Sequence, residues 1–221
     1  SGTLFASANK PIIDPQGALA AFCSSTGDWL PLVCTMNCTV ATELTRHLFA
    51  LDTAQLEHRA GAVPVGSRGV MTLPFFNGER TPNLPQGKGC ILGLDDSNYA
   101  SDNLLRSAME SAVYGLRSGL DRFSEHGCVS SELRLTGGGA GSAVWRQMVA
   151  DIFNMPVRVP TVGEGAALGA ALQALWMYQR EQGDNITFQE LVDTHLQFDP
   201  AQACVPQQPA VTDYGEYYKR Y

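Results

Sequence analysis

Hydrophobic and polar positions follow two regimes along this 221-residue chain. Up to about residue 100, short apolar runs are broken by turn-forming residues. Residues 2–8 predict a short strand, "NKPIIDPQG" a proline-punctuated turn, and "WLPLVCTM" (29–36) a second strand. "NCTVATELTRHLFAL" (37–51) has helical period, with Val40, Leu44, Leu48 and Leu51 on one face and Asn37 or Thr39 in place to cap it. "TAQLEHRA" (53–60) predicts a further short helix. "GVMTLPFF" (69–76) and "CILGL" (90–94) are strand-like. Between them lies "NGERTPNLPQGKG" (77–89), the longest turn-rich stretch in the middle of the chain. A loop of that length inside a compact domain is usually functional or mobile.

The second half has longer periods. "DNLLRSAMESAVYGLRSGLDRFSEHG" (102–127) is the longest helical pattern, with Leu104, Leu105, Ala108, Ala112, Leu116 and Leu120 as its stripe and Gly127 suited to a C-terminal cap. Then come "ELRLT" (strand), "GGGAG" (turn), "SAVWRQMVADIF" (helix), "PVRVP" (strand) and "GEGAALGAALQALWMYQ" (helix). This order predicts an α/β domain over residues 1–180. From about residue 181 the chain turns polar. A short helix, "FQELVDTH" (188–195), precedes a Pro/Gln-rich stretch and the aromatic end "DYGEYYKRY", which is either a docked helix or a fraying tail. Residues 181–221 are therefore expected to pack on the domain or trail from it. No repeat of 20–50 residues is visible.

Composition narrows the class. With 44% hydrophobic and 17% charged residues the chain reads as a globular protein. Net charge is −7 and no basic patch stands out, which argues against a nucleic-acid partner. No apolar run approaches the ~20 residues of a membrane span, and no signal peptide is present, so a cytoplasmic protein without a membrane partner is expected. Six cysteines (Cys23, Cys34, Cys38, Cys90, Cys128 and Cys204) lie among apolar neighbours without a C-x-x-C, which predicts reduced thiols. Cys34 and Cys38 alone are closely spaced, and without nearby histidines they make a poor zinc site. The opening "SGTLFAS" reads as the interior of a folded element, so a fragment of a longer polypeptide is expected.

The glycine turn in "LRLTGGGAGSAVWRQMVADI" (133–152) carries the first chemical signal. Glycines let backbone approach a flat ligand and permit positive φ. The helix that follows would point free N–H groups at the same place. A tight structural corner accounts for the turn equally well. A dinucleotide fingerprint is not completed: Ser142 stands where the third glycine belongs, and the next strand, "VRVPT", ends without the ribose-binding acid. Neither a Walker phosphate loop nor a G-x-S-x-G elbow occurs. In "GEGAALGAALQA" (163–174), Gly165, Gly169, Ala166 and Ala170 recur at helical spacing, as close helix packing requires, and Glu164 suits the helix dipole.

Taken together, "LTGGGAGSAVWRQMVADI", "V-x-V-P" and "E-G-A-A-L-G-A-A" resemble the C-terminal region of the FGGY carbohydrate kinases. The resemblance extends upstream. "GCILGLDDSNYASDNLLRSAMES" (89–111) is similar to the family's second signature, through Gly89, Ile91, Gly93, Leu94, Asn103, Leu104, Ser107, Ala108, Met109 and Glu110. "LPFFNGERTP" (73–82) and "SAVWRQMVADI" resemble the xylulokinase branch, as does the aromatic tail. The likeness spans roughly residues 1–180 and, more loosely, the tail.

The resemblance implies a ribonuclease H-like (actin/hexokinase/Hsp70 ATPase) α/β domain, a mixed sheet flanked by helices, forming one half of a two-domain kinase. It implies that Gly138, Gly139 and Ala140, with Gly137 and Ser142, contact the adenine nucleotide. Ser1, Gly2 and Thr3 would be the end of a phosphate-binding hairpin, and the loop 95–102 would approach phosphates or ribose. Phe76, Glu79 and Arg80 would line the substrate cleft, although a solvated turn with a structural Glu79–Arg80 pair is the alternative. The implied ligands are ATP or ADP, Mg²⁺ bridging the phosphates, and a pentulose sugar in the complete enzyme. The general-base Asp and the N-terminal domain would lie upstream of Ser1. No catalytic or metal-ligating residue is therefore expected in this chain, and the chain alone is expected to lack kinase activity.

The expected activity is ATP-dependent phosphorylation of D-xylulose to D-xylulose 5-phosphate. Glycerol, ribulose, rhamnulose or gluconate as substrate, or a non-catalytic actin-fold interaction module, are the alternatives, and a homodimer is compatible with either. A dinucleotide-dependent oxidoreductase is a third, weakened by the missing ribose acid.

Overall fold

A single long helix organises the molecule. The computed structural model describes residues 1–221, in the order β1 (Gly2–Phe5), β2 (Ala20–Cys23), β3 (Trp29–Thr35), α1 (Cys38–Leu48), α2 (Thr53–Gly61), β4 (Met71–Pro74), β5 (Gly89–Leu92), α3 (Ser101–Glu125), β6 (Leu133–Arg134), α4 (Ala143–Phe153), β7 (Val157–Arg158), α5 (Gly165–Glu181), α6 (Phe188–His195) and α7 (Gln208–Arg220). Helix α3 packs against α1, α2, α4, β1, β3 and β4, which is why it is buried almost all round between Asn103 and Tyr114. At Gly119 it lies so close to β3 that a Cβ would come within 2.9 Å of Val33 Cβ.

Three small sheets surround this helix. β3 pairs antiparallel with β1 on one side and β2 on the other, β4 pairs antiparallel with β5, and β6 pairs parallel with β7. The strand β2 is not visible in the hydrophobic pattern, because Ala20–Cys23 is short and its outer face is exposed. It forms because the turn Ser24–Asp28 folds it back onto β3, with Ser24 N–H donating to Asp28 O at 2.7 Å.

The main core joins Leu105, Met109, Val113 and Leu120 of α3 to Leu56 and Ala60 of α2, Met148, Ile152 and Phe153 of α4, Val157 of β7 and Tyr214 of α7. Burying side chains of this size contributes about 1.5–3 kcal/mol each. The aromatic end is a docked helix: Tyr214 is buried, and the ring of Tyr114 sits among Tyr214, Tyr218 and Tyr221 at centroid distances of 6.2, 6.0 and 5.3 Å.

Two helical faces differ from what their sequence pattern suggests. On α1 the stripe of Leu44 and Leu48 points outward, and the helix instead buries Cys38, Ala41 and Thr42. Small residues let α1 approach α3 closely, and this outweighs the burial that leucines would gain. On α5 the small-residue face is also open. Ala166 and Ala170 are exposed, a Cβ at Gly169 would meet nothing within 4 Å, and Leu172 is the one buried residue. The helix contacts α6, where Trp176 and Phe188 meet edge to face at 5.7 Å.

Candidate functional site

The carboxyl ends of β6 and β7 point the same way, because the two strands are parallel. Each leads through a turn into a helix, β6 into α4 and β7 into α5. The start of α5 lies against the end of β6: a Cβ on Gly165 would sit 3.6 Å from Thr136 Cγ2. Parallel α/β units bind ligands at this end of their strands.

The glycines between β6 and α4 shape that end. Gly137 has φ +86° and ψ −174°, a conformation essentially restricted to glycine. Gly138–Gly141 then form one 3₁₀ turn. A Cβ on Gly138 or Gly141 would meet nothing within 4 Å, and one on Gly139 would rest 3.6 Å from the Trp145 ring. Ala140 is the turn's one buried residue. The N–H groups of Gly138 and Gly139 have no acceptor within the protein. The turn is thus open backbone with free donors, backed by an indole ring.

The start of α4 differs from the sequence-based expectation. Ser142 is its N-cap, and the Ser142 hydroxyl accepts from Trp145 N at 3.1 Å. Glu57 of α2 accepts from Val144 N at 3.3 Å. Two of the helix's first donors are therefore spent, one of them on a carboxylate that would repel a phosphate. The geometry suits a flat neutral group over the glycines better than a phosphate at the helix end.

The remaining implied site residues form a separate group at the β3–α1 junction. Gly2 pairs with Thr35, and Gly2 O accepts from Thr35 Oγ1 at 3.5 Å. Ser1 and Thr3 flank it, both exposed. The loop 75–88 folds over the same junction. No hydrogen bond joins this group to the glycine turn.

Within that loop the structure brings a correction. Glu79 is 3% exposed and turned inward, where Met36 N (2.7 Å), Asn37 N (3.3 Å), Asn37 Nδ2 (3.1 Å) and Arg80 N (2.9 Å) all donate to its carboxylate. An acid so committed holds the loop against the start of α1. Arg80 is exposed, with Nη2 reaching Cys34 O at 3.5 Å, and does not pair with Glu79. Phe76 is half-buried over Gly89, where a Cβ would collide with the ring at 2.3 Å. That contact explains why the strand β5 opens on glycine.

The second signature is likewise spent on structure. Gly93 has φ +75°, and a Cβ there would lie 2.3 Å from Gly69 O. In the loop 95–102, Asp95 closes a turn by accepting from Ser97 Oγ, Ser97 N and Asn98 N, and the Ser97 hydroxyl foremost holds its carboxyl below the usual range. Ser107 and Thr72 hydroxyls meet at 2.8 Å. Glu110, 2% exposed, accepts from Gly66 N (3.0 Å), Ser67 Oγ (2.9 Å), Arg106 Nε (2.8 Å) and Tyr214 OH (3.1 Å). Burial raises its pKa, opposed chiefly by the Arg106 guanidinium.

No three His, Cys, Asp or Glu side chains come together as a metal site. Mg²⁺ at phosphoryl-transfer sites is held largely by phosphate oxygens and waters, with one or two carboxylates, so a nucleotide on the glycine turn would bring the ion with it. No helix is long and apolar enough to cross a membrane.

Two residues of the turn's surroundings escape sequence reasoning, although both stand inside the motif. Trp145 backs Gly139, and Arg146 donates to Ala140 O at 2.7 Å. Glu57 and Gln202 also reach this region, from far along the chain, where spacing carries no signal.

Comparison with known proteins shows the family and the fold. Residues 4–178 match the profile of the FGGY family of carbohydrate kinases, C-terminal domain. A xylulose kinase from Haemophilus influenzae is 43% identical over 221 residues, covering all of this chain and 44% of the relative. One from Streptomyces rubiginosus is 41% identical over 175 residues, covering 79% of this chain and 34% of the relative. The crystal structure of xylulose kinase from Bifidobacterium adolescentis superposes with TM-score 0.80 at 29% identity, over 97% of this chain and 41% of that one. The chain thus spans less than half the length of the relatives it matches. The fold is the actin/hexokinase-like fold of these kinases, and the chain belongs to the FGGY family of carbohydrate kinases, carrying its C-terminal domain.

Proposed function

We propose that this chain is the ATP-binding half of a kinase that phosphorylates D-xylulose to D-xylulose 5-phosphate. The observation that carries the nucleotide site is the turn Gly137–Gly141: open backbone with unspent N–H groups at the carboxyl end of a parallel strand pair. Adenosine lies over Gly138 and Gly139, with Ala140 beneath. Glu57 at the start of α4 keeps the phosphates away from that helix and directs them toward the domain cleft. Support for the sugar comes from the 43% identity, over the whole chain, to a xylulose kinase.

In phosphoryl transfer the protein chiefly positions the reactants and neutralises charge. Mg²⁺ supplies charge neutralisation on the phosphates when bound. This chain's residues orient the nucleotide and exclude water behind it. The base that accepts the sugar hydroxyl proton, and most sugar contacts, belong on this reading to the part of the polypeptide outside this chain. Ser1–Thr3 and Arg80 at the β3–α1 junction face the same cleft, and the parent enzyme acts in the cytoplasm.

The test is ADP release by the full-length protein with D-xylulose, ribulose, rhamnulose, gluconate and glycerol. D-xylulose is expected to give the highest kcat/KM, and the isolated chain no sugar-dependent turnover. A higher kcat/KM for another sugar reassigns the substrate, and turnover by the isolated chain contradicts the division of labour. Absence of turnover with every sugar, together with intact nucleotide binding, favours the interaction-module reading.

A further inference from the structure

The molecule has two buried arginines, and they are treated differently. Arg106 is fully satisfied: Nε donates to Glu110, Nη1 to Ala60 O at 3.0 Å and Nη2 to Tyr214 OH at 2.8 Å. Arg146 is nine-tenths buried in α4, yet no carboxylate pairs with it, and its Nε has no partner. Burying an uncompensated guanidinium is costly, so its one strong bond is informative. Nη1 donates to Ala140 O at 2.7 Å, the one side-chain hydrogen bond made to residues 137–141. The same nitrogen reaches Gln202 Oε1 at 3.5 Å. Gln202 in turn donates to Asp199 Oδ2 at 2.8 Å, and Asp199 caps the turn Pro200–Gln202 through Ala201 N at 2.9 Å.

Residues 199–202 lie beyond the matched family profile and are pinned alongside β7, through Asp199 N to Val159 O and Cys204 N to Val157 O. A stretch of glycines has more conformational freedom to lose than any other, and a ligand that binds it must supply that ordering. A charge-assisted bond to the Ala140 carbonyl within it supplies the ordering in advance.

We propose that Arg146, steadied by Gln202, is a positioning residue that presets the glycine turn for the nucleotide. The inference rests on the reading of that turn as the adenosine floor. It makes the C-terminal segment part of the nucleotide site without touching the ligand.

The experiment uses the full-length protein as wild type, Arg146→Met, Arg146→Lys and Gln202→Ala. ATP KM, sugar KM and kcat are measured, together with hydrogen exchange of the Ala140 and Ser142 amides, which donate to Gly137 O and Gly139 O within the turn, in the absence of nucleotide. Arg146→Met is expected to raise the ATP KM about tenfold, a loss of about 1.4 kcal/mol, to leave the sugar KM within about twofold, and to speed exchange in the turn. Arg146→Lys, which keeps one donor for Ala140 O, recovers part of both effects, and Gln202→Ala shows a smaller rise in ATP KM. If Arg146→Met does not fold, the Lys and Ala variants carry the same readouts. Unchanged ATP KM and unchanged exchange overturn the inference, as does a parallel rise of both KM values. Faster exchange with unchanged ATP KM overturns it through its premise, because the turn then does not carry nucleotide. If Gly138→Trp still abolishes nucleotide binding while the Arg146 variants leave exchange alone, the premise stands and Arg146 alone is wrongly placed.

Discussion

The glycine turn and the GERTP loop both look functional as sequence, and they are built in opposite ways. In the loop, four N–H donors converge on Glu79 and the acid is buried. At the turn, the N–H groups of Gly138 and Gly139 have no acceptor, four glycines leave open space or touch only an indole, and one arginine grips from behind. A polar group already saturated by its own protein has little left for a ligand. Unspent donors on exposed, preset backbone are what a ligand needs. The same contrast separates the second signature from the turn. Its glycine at 93 and its acid at 110 are fixed by close approach and burial, so its residues report the fold and not the chemistry.

That contrast can be broken most severely at the saturated acids. Glu110→Ala leaves the Arg106 charge buried without its carboxylate, which costs about 3–5 kcal/mol. At about 2–4 °C per kcal/mol for a chain of this size, melting should fall by roughly 6–20 °C. The double change Arg106→Met with Glu110→Leu should recover the share due to the stranded charge, while Gly66 N, Ser67 Oγ and Tyr214 OH still lose their acceptor, and a scanning calorimeter reads both. Glu79→Ala removes the acceptor of three backbone N–H groups and should cost about 3 kcal/mol, with nucleotide affinity unchanged in whatever fraction stays folded. If either acid could be removed at no cost in stability, the saturated and unspent regions would not differ as described.

A smaller effect sharpens the comparison on the acid side. Asp14 closes the loop before β2, and its side chain accepts from Gln16 N, Ala18 N and Leu19 N at 2.9, 2.8 and 3.1 Å. These bonds, that from Gln16 foremost, hold its pKa below the usual 3.8 despite burial, with His126 at 3.9 Å adding to the shift. A folded-state pKa below the unfolded one means that Asp14 stabilises above about pH 4, and that this stabilisation is lost as pH falls through the folded value. Asp14→Asn should flatten the acid limb of a melting-temperature profile and leave the neutral region comparatively little changed. A profile with the wild-type acid slope would remove Asp14 from that role.

Much of this architecture is legible in the sequence, and the failures have physical causes. The helix 188–195, the long helix from 101 and the two β–turn–α units stand out, because local period and capping agree with the final packing there. The outward face of α1 does not, since Leu44 and Leu48 carry the apolar signal while Ala41 and Thr42 make the contact. Strand β2 is set by a turn and by pairing, and its own side chains are too exposed to announce it. At the site, the glycines are readable because only glycine tolerates φ +86° at Gly137. Arg146 is visible but mute, since a periodic pattern does not tell whether an arginine faces water or a carbonyl. Gln202 and Glu57 reach the first turn of α4, behind the glycines, across 56 and 87 residues of chain, a relation that only folding creates.

The central claim is that the open turn carries the nucleotide, and Gly138 offers the cleanest test of it. A Cβ there would meet nothing within 4 Å and the residue's φ is not positive, so Gly138→Trp places an indole in the space proposed for the ligand without a backbone clash. Calorimetric titration of ADP into the full-length wild type and Gly138→Trp should give measurable binding to the first. Binding to the variant should be weaker by about a hundredfold or lost, a difference of about 2.7 kcal/mol or more, with the two melting within a few degrees of each other. Equal ADP affinity in the two proteins would contradict the account.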